Sequence, residues 1–310
     1  MKRRARFITA IVGAGKVGSV LGKLLIERGQ RVACIVSRSE RSARAAGRFL
    51  GCRRFSTSLQ DIPPGVNLIL IATPHEEIAG VAGKLATLDH FSYRRLAACH
   101  TSGMMTAGVL EPLSRRGAVV FSFHPLQTFP RDFAPGKIVG SIRGIFYGVD
   151  GPARGIVLAR RLAGVLEGKT LTVPPEMREF YHAACVVASN HLTTLLWVLE
   201  RMYHAMGGKK KAFSTIFKPI VEATLRNIEL TSPARSLSGP VARGGVQTVS
   251  GHLASIEKHL PDILSYFLMM TEETVRLAKV KGSISDEQAV ALNNLIRSYR
   301  REPSRLEVIL

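Results

Sequence analysis

Gly13, Gly15 and Gly18 stand directly after a short apolar run, Phe7–Val12, and directly before a helical pattern. Strand, GxGxxG and helix in that order make the arrangement that seats a pyrophosphate. Gly13 permits the tight turn, Gly15 lets the backbone approach the phosphates with no Cβ in the way, and Gly18 lets the helix pack close to the strand. Ala14, Lys16 and Val17 complete the turn. The helix N-terminus points free N–H groups and a positive dipole end at the anion. The second strand, Arg31–Val36, runs into Ser37, Arg38 and Ser39. A site for NAD would place an acid there for the ribose hydroxyls. None stands there, and a guanidinium between two hydroxyls suits the 2′-phosphate of NADP, which is the cofactor expected.

The elements around the turn must present these groups at one edge. Val17, Val20, Leu21, Leu24 and Leu25 recur at helical spacing to cover a sheet. Val66–Ala72 reads as the next central strand, and its end, Ala72, Thr73 and Pro74, is expected to cover the adenosine side of the cofactor. Leu96–His100 runs into Thr101, Ser102 and Gly103, and Val119–Phe123 runs into His124 and Pro125. Ligands of an open α/β sheet lie beyond the carboxyl ends of its strands, so both turns deliver polar groups to the same edge. Gly144–Val149, a helix over 152–166 and Thr170–Val173 are expected to complete the sheet. Pro174 and Pro175 then break the pattern. The expected fold class is α/β, a Rossmann doubly wound, mostly parallel sheet over 1–173 that binds NADP, followed by an all-α substrate and dimerisation domain over 174–310. In the second part, 177–204 is expected to form one long buried helix of about 40 Å. Further helices are expected over 212–229, from near Val246, over 261–279 and over 286–299, the last with Ser285 and Gln288 as a capping box.

With 310 residues, two domains are the natural division. Cys34, Cys52, Cys99 and Cys185 show no metal-ligand spacing and read as reduced core thiols of a cytoplasmic protein, with no metal expected. No apolar run is read as a membrane span. The net charge is +20, and residues 1–60 hold fourteen Lys or Arg against Glu27 and Glu40. That excess suits an anionic cofactor and a small carboxylate substrate. The arginines are dispersed without interleaved aromatics, so no specific nucleic-acid partner is expected. Lys209, Lys210 and Lys211 read as a solvated turn.

Five motifs carry a resemblance: GAGKVG, HTSG, FHPLQTF, YHAACVVASN over Tyr181–Asn190, and SGPVARGG over Ser238–Gly245. In that order they resemble a family of Rossmann-like proteins with a C-terminal helical domain of unknown function. That family is related to prephenate dehydrogenase, pyrroline-5-carboxylate reductase and ketopantoate reductase. The resemblance implies a homodimer through the C-terminal helices and an active site in the cleft between the domains. It departs from the pattern at Gly245, where the family usually has Asp, and at Val186, where the hydroxyacid relatives carry Lys if Asn190 matches their Asn.

Hydride transfer to C=O or C=N needs a proton donor, and histidine suits that role. His182 is the candidate acid, with Asn190 fixing the carbonyl oxygen; on a continuous α-helix the two share a face. His124 resembles the histidine of the prephenate dehydrogenase HP motif and is expected to act directly or to shape the loop. Thr101 and Ser102 are expected at the nicotinamide ribose or the substrate, and Arg243 at a substrate carboxylate. The expected activity is an NADP-dependent oxidoreductase acting on a small carboxylate-bearing carbonyl or imine, a ketopantoate-type 2-oxo acid first. The alternatives are oxidation of a hydroxy acid in the prephenate manner, and a non-catalytic NADP-binding sensor or complex subunit.

Overall fold

The computed structural model describes residues 6–209 and 213–300, so Lys210 and Lys211 lie outside the described residues. The chain folds as two compact units that divide between His191 and Leu192. That division lies beyond the Pro174–Pro175 break expected to separate the domains.

The first unit opens with β1 (Ile8–Val12), α1 (Lys16–Glu27), β2 (Arg31–Val36), α2 (Glu40–Leu50) and β3 (Phe55–Ser56). It continues through β4 (Leu68–Ile71), α3 (His75–Ala86), β5 (Ala97–His100), α4 (Glu111–Arg115) and β6 (Val119–Ser122). The six strands lie in the order β3-β2-β1-β4-β5-β6, every pair parallel. Strand order reverses between β1 and β4, and the crevice of a doubly wound sheet opens there. Leu21, Leu24 and Leu25 of α1 cover one face of the sheet and Ile78 and Leu85 of α3 the other. Covered on both faces, the central strands are apolar at nearly every position, as parallel strands must be.

The next strands do not join this sheet. β7 (His124–Pro125), α5 (Pro135–Val139), β8 (Phe146–Val149), α6 (Ala153–Val165) and β9 (Lys169–Thr172) follow, and β7, β8 and β9 form a sheet of their own, β7 antiparallel to β8. The two sheets meet at Ser122, whose hydroxyl accepts the Asp150 N–H at 2.8 Å and whose N–H donates to the Asp150 carbonyl oxygen at 2.9 Å, while β8 itself pairs with His124 and Pro125.

A turn at Pro175–Met177 leads into α7 (Arg178–Val186), which belongs to the first unit. The expected single α-helix over 177–204 does not form, because Val187–His191 is a π-helical turn. Ser189 Oγ donates to the Cys185 carbonyl oxygen at 2.7 Å, a local side-chain bond of the kind that competes with the helical ladder.

The second unit comprises α8 (Leu192–Ala205), α9 (Phe213–Leu230), α10 (Pro233–Ser236), α11 (Val246–His259), α12 (Leu264–Lys281) and α13 (Asp286–Arg300). Leu253, Val275, Leu292 and Ile296 anchor its core. α13 begins with the expected capping box: Gln288 N–H donates to Ser285 Oγ at 3.2 Å and Ser285 N–H to Gln288 Oε1 at 2.9 Å. Only Val198 of α8 and no described residue of α9 is buried, against the expectation of a buried long helix. Among the described residues, Pro175–Ala205 is long and apolar enough to cross a membrane by length and composition, where none was expected. That stretch also holds Arg178, fully buried against the first unit's own residues.

Candidate functional site

β1 runs straight into Gly13 at φ 110°, a conformation that strains a residue with a side chain, and a Cβ there would lie 2.5 Å from the Ala72 carbonyl. Gly18 is equally constrained: its Cβ would meet the Gly13 carbonyl oxygen and come 3.1 Å from Ile11 Cγ2. Gly15 differs, with nothing within 4 Å of a Cβ, and it caps α1 without any side-chain bond. Its open side faces a cavity of about 610 Å³, within the size range of cofactor sites. Gly13, Ala14, Gly15, Ser37, Arg38, Ala72, Thr73 and Pro74, each expected from sequence at the cofactor, all line it. Thr73 Oγ1 is buried with no hydrogen-bond partner, which a bound ligand would supply. The residues present therefore fit a dinucleotide.

Other expected contacts have local work instead. Ser39 caps α2, its hydroxyl accepting the Ser42 N–H at 3.3 Å, and it does not line the cavity. Lys16 Nζ donates to the Phe133 carbonyl oxygen, and Val17 packs on the core. An acid absent from the end of β2 arrives from α3: Glu77 lines the cavity and pairs with Arg38 at 3.1 Å. Nothing in the β2 pattern could reveal it, because its place depends on how α3 packs.

Beyond β5, β6 and β8 lies a second polar group of residues. His124 Nδ1 and the Tyr181 hydroxyl are 2.8 Å apart, and the His124 and His182 ring centroids 6.3 Å apart. Gly103 separates the two imidazoles: a Cβ on it would come within 2.7 Å of His182 Cδ2 and 2.9 Å of His124 Nε2. Arg178, with 1% of its surface exposed, donates through Nη2 to the Ser102 carbonyl oxygen at 2.9 Å and lies 3.4 Å from Asp150 Oδ2 through Nη1. Its guanidinium also lies 5.2 Å from the centre of the Tyr181 ring. Asp150 accepts from the Ser122 hydroxyl and from the Ala107 N–H, both at 2.6 Å. Both Asp150 oxygens are thus hydrogen-bonded, whereas Arg178 Nε and Nη1 are buried without a hydrogen-bond partner and Nη1 meets Asp150 only as an ion pair. Behind it, His100 Nδ1 accepts the Ser102 N–H at 3.2 Å and Nε2 lies 3.0 Å from the Thr106 carbonyl oxygen, which fixes one neutral tautomer.

Electrostatics follow from this packing. Burial, reinforced by the Arg178 cation, pushes His124 down to about 4, and burial pushes His100 to about 4 as well. Burial raises the Tyr181 hydroxyl well above the usual phenol range and lowers Arg178. At neutral pH His124 is thus an uncharged proton acceptor whose Nδ1 is held by a neutral phenol.

The structure brings His124, His182 and Ser102 together within one unit. Ser102 there serves the turn, its hydroxyl accepting the Met104 and Met105 N–H groups, while Thr101 N–H donates to the Ile71 carbonyl oxygen; neither lines the cofactor-sized cavity. Asn190 is exposed in the π-helical turn, its Oδ1 accepting from Ser189, so the face shared with His182 on a continuous α-helix is not realised. Arg243 is exposed in the second unit, in the turn Val241–Arg243 before α11. Gly245 opens α11 at φ −77°, and a Cβ there would lie 3.2 Å from the Pro240 carbonyl oxygen, a position that does not demand glycine's freedom. Tyr181, Arg178, Asp150 and His100 were not picked out from sequence. The signals were a buried-looking charge at each of two element ends, GVDG and EMREF, and the motif residues Tyr181 and His100 themselves.

Residues 1–125 match the model of a Rossmann-like domain, and residues 145–274 match that of a domain of unknown function, DUF2520. No curated protein matches the sequence. Among solved structures, the chain is similar to a Bacteroides fragilis protein provisionally named an NADP oxidoreductase, at 18% identity and TM-score 0.69, over 87% of this chain and 98% of that one. It is similar to a reductive aminase from Aspergillus terreus in complex with NADPH and ethyl-5-oxohexanoate, at 15% identity and TM-score 0.59, over 96% and 95% of the two chains. It is also similar to prephenate dehydrogenase from Aquifex aeolicus with hydroxyphenyl propionate and NAD+, at 17% identity and TM-score 0.54, over 90% and 98%. At these identities the likeness is one of fold.

Proposed function

We propose, with a Rossmann-like domain joined to a DUF2520 domain as the premise, that the chain is an NADP(H)-dependent oxidoreductase acting on the C=O or C=N of a small carboxylate-bearing substrate. One observation carries this reading. The glycine cradle after β1 and the His124–His182 pair after β6 and on α7 lie at the carboxyl edge of one sheet, within one unit. In open α/β sheets that edge binds both dinucleotide and substrate.

Gly13, Gly15 and the α1 N-terminus would hold the pyrophosphate, Thr73 would give its unpartnered hydroxyl, and Arg38 would exchange Glu77 for the 2′-phosphate. When bound, the cofactor supplies a hydride to the substrate carbon or takes one from it. His124 handles the accompanying proton at Nε2: in oxidation it accepts the proton of the hydroxyl or amine, and in reduction its imidazolium returns it. Tyr181 holds Nδ1, and Arg178 with Asp150 anchors Tyr181 and the Ser102–Gly103 turn. Imines head the substrate panel, because a reductive aminase shares the fold; ketopantoate-type 2-oxo acids follow. Partners are proposed as a second copy of the chain and a small-molecule substrate, the copy docking on the exposed apolar residues of α8 and α9.

The test is a fluorescence titration with NADPH and NADH, followed by an oxo-acid and imine panel read by absorbance. Arg38→Ala is expected to weaken NADPH about tenfold, the size of one lost charged contact, and NADH little. Glu77→Gln is expected to strengthen NADPH. Binding of neither nucleotide would end the enzyme reading. Tight NADPH binding with no turnover in either direction would move the assignment to a non-catalytic NADP sensor, which Val186 and Gly245 favour.

A further inference from the structure

At the opposite edge of the sheet, where the strands begin, Arg6, Arg94, Arg95 and Arg161 line a second cavity of about 200 Å³. Phe7, Asn67, Leu96 and Val119, at the starts of β1, β4, β5 and β6, form its floor. At about 3.3 Å per residue, the length of β1 alone puts about 17 Å between the two edges. The cofactor-sized cavity shares no lining residue with this one.

No Asp or Glu lines the cavity, and among the described residues no carboxylate is in ion-pair reach of any of the four guanidiniums. Arg28, Arg38, Arg44, Arg115, Arg143 and Arg178 of this unit pair with carboxylates. Arg116 meets Asp89 at 3.0 Å and the Ala86 carbonyl oxygen at the end of α3 at 2.8 Å, the usual employment of a cation at this edge of a parallel sheet. The four do no such capping. Two are held in place by packing: the Arg161 guanidinium lies 4.8 Å from the Phe7 ring centre, and the Arg94 stem lies against Gly117, where a Cβ would come within 3.2 Å of Arg94 Cγ. Four cations gathered round one small concavity repel one another unless an anion joins them.

We propose that this cavity binds a small phosphate-bearing anion, separately from the cofactor. Guanidinium forks match phosphate oxygens two at a time, and four of them suit one or two phosphoryl groups. The volume is below the roughly 300–1,000 Å³ of sites that enclose a whole drug-sized molecule, so the phosphate end is what is recognised. A nucleic-acid strand is disfavoured because the one lining aromatic, Phe7, has its face covered by Arg161 and offers no base a stacking surface. The inference stands whether or not the chain turns over a substrate.

Calorimetric titration of the full chain with inorganic pyrophosphate, with and without saturating NADPH, tests it, alongside Arg94→Ser/Arg161→Ser and a Gly13→Val variant that blocks the glycine cradle. The expected result is a saturable site, beyond any pyrophosphate held at the glycine cradle, that persists under NADPH and in Gly13→Val, weakens at least about tenfold in the arginine variant under NADPH, and weakens with salt. A circular dichroism spectrum matching wild type establishes that the arginine variant is folded. No saturable binding, equal affinity in the arginine variant, or displacement by NADPH overturns the proposal. Binding of a short DNA duplex through the same arginines without pyrophosphate binding overturns it in favour of a nucleic-acid surface.

Discussion

Burial and the Arg178 cation push the His124 imidazolium down to about 4, so the neutral ring dominates above that pH and the two directions of reaction have different pH profiles. Oxidation requires the neutral imidazole, which is present in full above about pH 5. Reduction requires the imidazolium, whose fraction falls tenfold for each pH unit above its pKa. Initial rates are therefore expected to be flat with pH in oxidation from 6 to 9, and to rise about tenfold per unit of acidification in reduction from 7 to 5. A flat reductive profile would remove His124 as donor and leave His182. Tyr181→Phe keeps the ring over Gly148 but drops the hydroxyl at Nδ1, and should lower kcat about tenfold, one hydrogen bond's worth, with KM nearly unchanged. His124→Asn should cost about 10²–10⁴. The histidine was readable from its place at a strand end. Its partner was not, because Tyr181 lies 57 residues further on and only the packing of α7 joins them. Glu77 escaped for the same reason, being invisible at the end of β2 and obvious once α3 is packed beside it.

α8 and α9 are amphipathic helices whose apolar residues lack cover in a single chain. Trp197 is 54% exposed, Ile220 63% and Leu225 52%, and a nearly all-apolar cavity of about 480 Å³ opens between residues of α8, α9 and α12. The proposed second copy would cover this exposed face. Because α9 contributes no buried residue, Ile220→Glu with Leu225→Glu should leave the chain's own stability within about 1 kcal/mol while converting dimer to monomer, read by light scattering after size exclusion. A wild type that is already monomeric at high concentration removes the second copy. Periodicity located these helices, and Ser285 with Gln288 marked the start of α13, since both signals are local. The π-helical turn and the pairing of β8 with β7 were not legible, since no local periodicity or spacing marks either of them.

At the scale of the whole sheet, two features stand at opposite edges: the glycine turn with Arg38 at the ends of the strands, and four arginines round a small cavity at their beginnings. Composition announced the basic excess but not these placements, which only strand order creates. The Arg178–Asp150 pair bears on where this chain can be cut. A fragment ending at residue 173, the boundary suggested by the paired prolines, would retain all nine strands yet lose the counter-ion of Asp150 and the phenol of His124. Against a fragment ending at residue 191, it should be less stable to urea by roughly 3 kcal/mol, the low end of the cost of orphaning a buried charge, since water reaches Asp150 once the helix is gone. Should the two fragments separate in that order, α7 is what completes the first unit, and a cut made at the prolines discards the part that supplies it.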